Sequence, residues 1–589
     1  MFAVWVDTTT EECLNTEPDL ATSMCGRVLW KERRDVGIYA TILTCSLLLA
    51  SGTYADRISD DEHQKPMTDR NEFYPYAIEN SAPSVWNGTE DIKKYMGVGY
   101  AHALGFTGKS VVAAIADTGC RHTHNSFGGP ASAKSDGTNV QIIAYNTFKT
   151  VYEDLNNHGT ATAQILAGID PGHIGFAPGS KLIVQKKFNN SINKEYTITK
   201  GARDAMNHSA FIHSNSWGGY TAGIYHNMSE ENDRVVWENP SFLMVYAAGN
   251  MGKIGNCSLN GEGLSKNVLT IGGFFDNFTL DRSDDYYAPE IGIYSGPSMG
   301  PAGDGRIKPD VAASYYHYEG ASNSADNAYF DFGGTSGATP MVAGIAACVQ
   351  QAYRENHFNN NPMGLIPSAA LLKAIIIVNA YQMNLSLSNR LQQGWGQPDL
   401  RRIIDVGAKH LLVNDSQTPG LLTGEKYESH YNVSSSTGDL KISLVWTDPP
   451  GTSGMSGKNL VNDIDLVAIS PTGIKYIGNR GLLAGYYNTP GGEHATDGDR
   501  LNNVENVFIN EPEPGTWIIE IYGHNVTIGP QKFALAVSGN GFASVIEGET
   551  AALIISIGTT FTIVFLAIVY LPDKKMPKTR VKTRRKCWE

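Results

Sequence analysis

Four short stretches place reactive side chains where apolar or glycine-rich runs end. "FDFGGTSGATPMVAGIAACVQQAY" (330–353) seats Ser336 where a glycine-rich run gives way to a helix of small and apolar residues. "VVAAIADTG" finishes an apolar run on Asp117, "NNHGTATAQILAG" puts His158 at the start of a small-residue helix, and "VYAAGN" terminates on Asn250. Each has a plain structural reading alone: a hydroxyl that caps a helix, a solvated turn carboxylate, a structural imidazole, a turn-forming amide. Taken together they supply a hydroxyl nucleophile, a base, a group to orient the base, and an amide donor for developing negative charge. The glycine after His158 would let another chain approach closely.

These residues need a scaffold that brings distant segments to one edge. From about Gly97 to Val406, buried-strand runs ("SVVAAIAD", "QIIAY", "KLIVQKKF", "FLMVYAAGN", "NVLTIGGF") alternate with helical stretches such as "TKGARDAMNHS" and "SAALLKAIIIVNAY". That alternation predicts an α/β layer fold with a parallel sheet, whose ligands collect at the C-terminal ends of the strands. From about Lys409 short strands and turns take over ("LKISLVWTD", "DIDLVAIS", "GIKYIGN", "QKFALAVSG"), predicting a β-sandwich or jelly roll. Within it Asp463 and Asp465 alternate on one strand face, a candidate structural Ca²⁺ site whose competing reading is an acidic edge facing water.

Length and charge bound the rest. At 589 residues the chain exceeds a single core, and its 41% apolar and 18% charged residues are globular in balance. The net charge is −13, yet the last eighteen residues carry +6, leaving −19 on the body, which excludes nucleic acid as the expected partner. Before that basic tail, Ala551 to Leu571 is an uncharged run long enough to span a bilayer. Basic residues on its C-terminal side predict a single-pass type I membrane protein, catalytic region extracellular or lumenal. "KERRDVGIYATILTCSLLLASGTYAD" has the layout of a signal peptide ending at Ala55, or of a retained signal anchor. Ten Asn-X-Ser/Thr sequons fit secretion. The seven cysteines are scattered without metal-site spacing, and a Cys120–Cys257 disulfide stays open. The expected organisation is an N-terminal extension and signal (1–55), a short pro-region or linker (56–96), a catalytic domain (97–408), a β domain (409–540), a linker (541–550), a transmembrane helix (551–571) and a cytoplasmic tail (572–589).

The Asp, His, Asn and Ser segments resemble those of the subtilisin-like serine peptidases, in order and in spacing, with 41 residues from Asp117 to His158 and 178 from there to Ser336. "GDGRIKPDVAA" and "GWGQPDL" extend the similarity across the α/β region. "LVNDIDLVAISPTG" and "GPQKFALAVSG" are similar to the jelly-roll domain that follows the catalytic domain in one branch of that family. The resemblance implies a serine endopeptidase with Ser336 as nucleophile, His158 as general base, Asp117 as its orienter and Asn250 in the oxyanion hole. It implies a substrate-binding strand at Ser216, Trp217 and Gly218, a first specificity pocket floored by Ala247, Ala248 and Gly249, peptide or protein substrates, and no cofactor for the chemistry. Departures are Gly337 where the family has Met, "HGTATA" for "HGTHVA", and a pro-region of only about 40 residues. A catalytically inactive adhesive glycoprotein and a secretory-pathway processing convertase are the competing expectations.

Overall fold

A computed structural model of the chain describes residues 88–546, apart from 149–152, 189–194, 277–281, 289–295, 317, 359–362, 408–410, 416–419, 456, 492–497 and 540–541. Every described residue belongs to one compact unit.

Seven strands form one parallel sheet: β1 (Val112–Asp117), β2 (Ile142–Asn146), β3 (Lys181–Lys186), β4 (Ala210–Asn215), β5 (Leu243–Ala247), β6 (Leu269–Phe274) and β7 (Val311–Ser314). Their order is β2-β3-β1-β4-β5-β6-β7. The central strands are almost wholly buried, as a parallel sheet covered on both faces requires. The chain leaves β1 for β2 and β3 on one side, then returns to build β4 to β7 on the other. The order therefore reverses beside β1, and a crevice opens at the C-terminal ends of β1 and β4. Asp117 is the last residue of β1, and Ser216 follows β4 directly.

The helix Thr335–Arg354 runs through the core, packed on β4 to β7 and on the helix His158–Ala167. It is apolar or small nearly all round, which suits a helix surrounded by protein rather than an amphipathic surface one. A hairpin of β8 (Tyr318–Ala321) and β9 (Tyr329–Phe332) delivers the chain into it.

The β region contains β10 (Leu411–Asp415), β11 (Lys426–Val433), β12 (Asp439–Val445), β13 (Asn462–Ile469), β14 (Lys475–Ile477), β15 (Val504–Asn510), β16 (Gly515–Val526), β17 (Ala534–Gly539) and β18 (Phe542–Ile546). They form two antiparallel sheets, β10-β17-β12-β15 and β14-β13-β16-β11-β18. Leu440, Ile442 and Leu444 of β12 meet Ile464 and Leu466 of β13 and Ile519 and Ile521 of β16 in one core between the sheets. The alternate face of the four-stranded sheet is also covered: Val445, Phe508, Ala534 and Ala536 join the core of the α/β region. The helix Ala369–Val378 lies against that face.

Several expectations change. The helix Gly88–Tyr95 lies in the stretch read as a short pro-region or linker, and Ile92, Tyr95 and Met96 are buried in the α/β core. The stretch 541–550 was expected to be a linker, yet β18 within it pairs antiparallel with β11. Cys120, Cys257 and Cys348 are all free thiols, so the Cys120–Cys257 disulfide is not made. Asp463 and Asp465 do share a strand face, but both are buried and paired with Arg500, and Asp463 also accepts from Lys458 at 3.0 Å. Carboxylates already satisfied by guanidinium and ammonium groups do not make the open oxygen set a Ca²⁺ ion needs. Among the described residues no group of three or more His, Cys, Asp or Glu could hold a metal, and no helix is long and apolar enough to cross a membrane. The span read at Ala551 to Leu571, the signal at 1–55 and the basic tail lie outside the described residues.

Candidate active site

Asp117 stands at the crevice because β1 ends on it. Its Oδ1 accepts the His158 Nδ1–H at 2.7 Å and the Thr118 backbone N–H at 2.7 Å; its Oδ2 accepts the Thr162 hydroxyl at 3.1 Å. A carboxylate so held fixes the imidazole with Nδ1 protonated and Nε2 free to take a proton. Burial works against charging His158, but the Asp117 charge, its hydrogen bond and the more distant Asp154 outweigh it, so the imidazole pKa is raised above its ordinary value.

The close approach of the Asp turn and the His helix depends on glycine. A Cβ at Gly159 would lie 2.0 Å from the Gly119 carbonyl oxygen, so no other residue fits without moving backbone. The sequence reading missed Asp154, which clamps the two segments. Its Oδ1 accepts from the Thr118 hydroxyl at 2.8 Å, and its Oδ2 from the Thr160 N–H and hydroxyl at 2.9 and 2.6 Å. An acid four residues before His158, with a threonine two after it, was the signal available. Phe332 was missed as well: its ring packs edge-on against His158 at 5.3 Å, and it lies 3.7 Å from where a Cβ on Gly337 would be. The glycine in the place of the expected methionine is thus matched by a phenylalanine from β9.

Ser336 was expected to cap its helix, and it does not. The N-cap is Gly334, at φ 78°, and Ser336 is the second helical residue. A left-handed φ is open to glycine at little cost, which explains the glycine at the turn. The Ser336 hydroxyl donates to the Ser216 carbonyl at 3.2 Å, not to His158. In return the Ser216 hydroxyl donates to the Ser336 carbonyl at 2.9 Å. That carbonyl is available because its normal helical partner would be the N–H of residue 340, which is Pro340. Proline therefore ties the nucleophile's helix to the strand end after β4.

Asn250 lies three residues beyond β5. Its Oδ1 accepts the Thr335 N–H and hydroxyl, both at 2.9 Å, which turns the amide nitrogen outward. Neither that Nδ2 nor the Ser336 backbone N–H has an acceptor among the described residues. Two free donors beside a nucleophile, at the N-terminus of a long helix, suit an oxyanion.

The substrate-strand residues fall beside this group. The Trp217 indole donates to the Ala116 carbonyl at 2.9 Å, and the Gly219 N–H reaches Glu262 at 2.9 Å. Of the three pocket residues, Ala247 and Ala248 are buried, Ala248 with Leu259, Leu264 and Ala302; only Gly249 stays half-exposed. Asn260, which the sequence did not single out, links the two walls. Its Nδ2 donates to the Ala247 carbonyl at 2.6 Å and would lie 2.2 Å from a Cβ on Gly218.

Comparison with known proteins agrees with this geometry. Residues 108–396 match the Subtilase family of peptidases. A "Serine protease/ABC transporter B family protein tagA" of Dictyostelium discoideum is 24% identical over 82% of this chain and 33% of its own length. The serine protease AprX of Bacillus subtilis is 30% identical over 42% of this chain and 58% of its own. The membrane-bound transcription factor site-1 protease of Mus musculus is 26% identical over 51% of this chain and 26% of its own. The chain thus spans about a third of the length of the first of these relatives.

Proposed function

We propose that this chain is a serine-type endopeptidase of the subtilisin kind, hydrolysing peptide bonds through an acyl-enzyme on Ser336. The observation that carries the reading is the convergence of a buried Asp117 paired with a half-buried His158, a serine at a helix N-terminus and two unpaired donors on one crevice. Ser336 Oγ attacks the scissile carbonyl while His158 Nε2 takes its proton. Asp117 holds the tautomer and stabilises the imidazolium. Asn250 Nδ2 and the Ser336 N–H receive the oxyanion, and His158 then returns the proton to the leaving amine. Water repeats the sequence on the acyl-enzyme. As substrate enters, the Ser336 hydroxyl exchanges its bond to Ser216 for one to His158; catalytic hydrogen bonds of this kind often tighten only in the substrate complex. An extended peptide lies along Ser216–Gly218, and the β region is read as a jelly-roll companion that supports the catalytic domain.

We further infer a type I membrane protein with the peptidase outside the cytoplasm. The uncharged run at Ala551 to Leu571, the basic tail and the exposed sequon residues Asn207, Asn227, Asn256 and Asn525 support this. The likeness to the site-1 protease favours a processing convertase as a second reading. A fluorophosphonate probe on the purified chain should label Ser336 and be blocked by Ser336→Ala. Peptidase turnover should vanish in Ser336→Ala and His158→Ala, with little added loss in the double variant, because the residues act as one unit. Absence of labelling in the wild type would overturn the proposal and leave the inactive adhesive glycoprotein.

A further inference from the structure

One cation beside the crevice makes no direct ion pair among the described residues. Lys187 directly follows β3, and its N–H donates to the Asp117 carbonyl at 2.8 Å, which sets it at the same sheet edge as the triad. Only 4% of its surface is accessible. Its ammonium lies 3.9 Å from the centre of the Trp217 ring, 4.7 Å from that of Tyr196 and 5.2 Å from that of Phe188. It donates no side-chain hydrogen bond and makes no ion pair among the described residues; Glu262 and Glu231 act on it only through space. Burial pushes its pKa down to about 8, which leaves it mainly protonated at neutral pH.

Three aromatic faces offset part of the desolvation of an ammonium. A buried cation left in this state gains strongly from an arriving carboxylate. Trp217, which floors the cage, is the middle residue of the strand end along which the peptide lies. Ser216, its neighbour, is hydrogen-bonded to Ser336. Because Trp217 adjoins Ser216, a peptide side chain that reaches the cage belongs to a residue close to the scissile bond.

We propose that Lys187 selects substrates carrying an acidic side chain, Asp or Glu, at one position close to the cleaved bond. The inference rests on the peptidase reading above. The test uses the purified full chain and fluorogenic peptide libraries in which Glu is compared with Gln at each position in turn. Glu should be favoured about tenfold in kcat/KM at one position, as a charge-assisted contact predicts. The ratio should persist in Lys187→Arg and fall towards one in Lys187→Met, with Lys187→Gln as a second neutral variant should the first not fold. A ratio near one at every position in the wild type, or a ratio unchanged in a neutral variant, would overturn the proposal. Such a result, with peptides still cleaved and Ser336 labelled, leaves the peptidase reading intact. No cleavage and no labelling defeats both.

Discussion

His158 is held between burial, which resists its protonation, and the Asp117 carboxylate, which favours it; the carboxylate, its hydrogen bond and Asp154 win, so the pKa is raised. The sign has two consequences. As a base His158 must be neutral, so the acid limb of kcat/KM should lie above the ordinary imidazole value of about 6.5. The ion pair, by contrast, stabilises the fold fully below that unfolded-state value, and its contribution is lost as pH rises through the raised folded value. Asp117→Asn removes the charge while keeping the shape. Its acid limb should move to lower pH, and kcat should drop by a factor on the order of 10⁴ through loss of the tautomer. A pH–rate profile of the residual activity checks this; a limb that stays put would show that Asp117 does not set the imidazole's charge.

At the scale of elements, the site depends on two close approaches, each built on one residue. Gly159 admits the Gly119 carbonyl, and Pro340 releases the Ser336 carbonyl to Ser216. Gly159→Ala forces backbone against backbone, so it should cost about 1–3 kcal/mol of stability and lower kcat more than it raises KM. Gly337→Ala is the control, because its Cβ would meet Phe332 at 3.7 Å, an ordinary contact. Urea unfolding and steady-state kinetics on the pair distinguish the cases. Equal behaviour of the two variants would mean that the contact between the Asp turn and the His helix does not limit the site.

At the scale of the whole molecule, the two regions share a buried ionic joint. Lys266, at the start of the segment leading into β6, donates to Asp448 at 2.5 Å and to the Pro449 and Asn459 carbonyls at 2.6 and 2.7 Å, with both charged side chains fully buried. Asp448 also accepts the Val461 and Asn462 N–H groups at 3.0 and 2.7 Å. Removing one partner strands the other, so Asp448→Ala should destabilise the chain by about 3–5 kcal/mol. An apolar pair, Lys266→Met with Asp448→Leu, should recover most of that loss. Equilibrium denaturation measures both, and a loss below about 1 kcal/mol in Asp448→Ala would mean that the joint is not a shared structural unit.

The sequence by itself determined the parts whose cause is local. Apolar β-branched runs at "VVAAIAD" and "FLMVYAAGN" made strands because such runs can bury both faces, and the residues that end or follow them, Asp117 and Asn250, came to the crevice with Ser336 and His158. The strands β7, β10, β11 and β18 were not legible, since their residues acquire strand geometry from neighbours rather than from a periodic pattern of their own. Tertiary structure alone decided which polar groups meet across long separations. Asp154 serving both Thr118 and Thr160, Phe332 filling the space beside Gly337, and Asn260 bridging Ala247 and Gly218 depend on where distant backbones cross. It also decided against two local readings. The serine at the head of a helix became its second residue because Gly334 takes the left-handed turn, and the Asp463–Asp465 pair became ion-paired because Arg500 returns from a loop 35 residues on from Asp465. Spacing along a chain shows which side chains can share a face, but the partner that satisfies a buried charge comes from elsewhere in the fold.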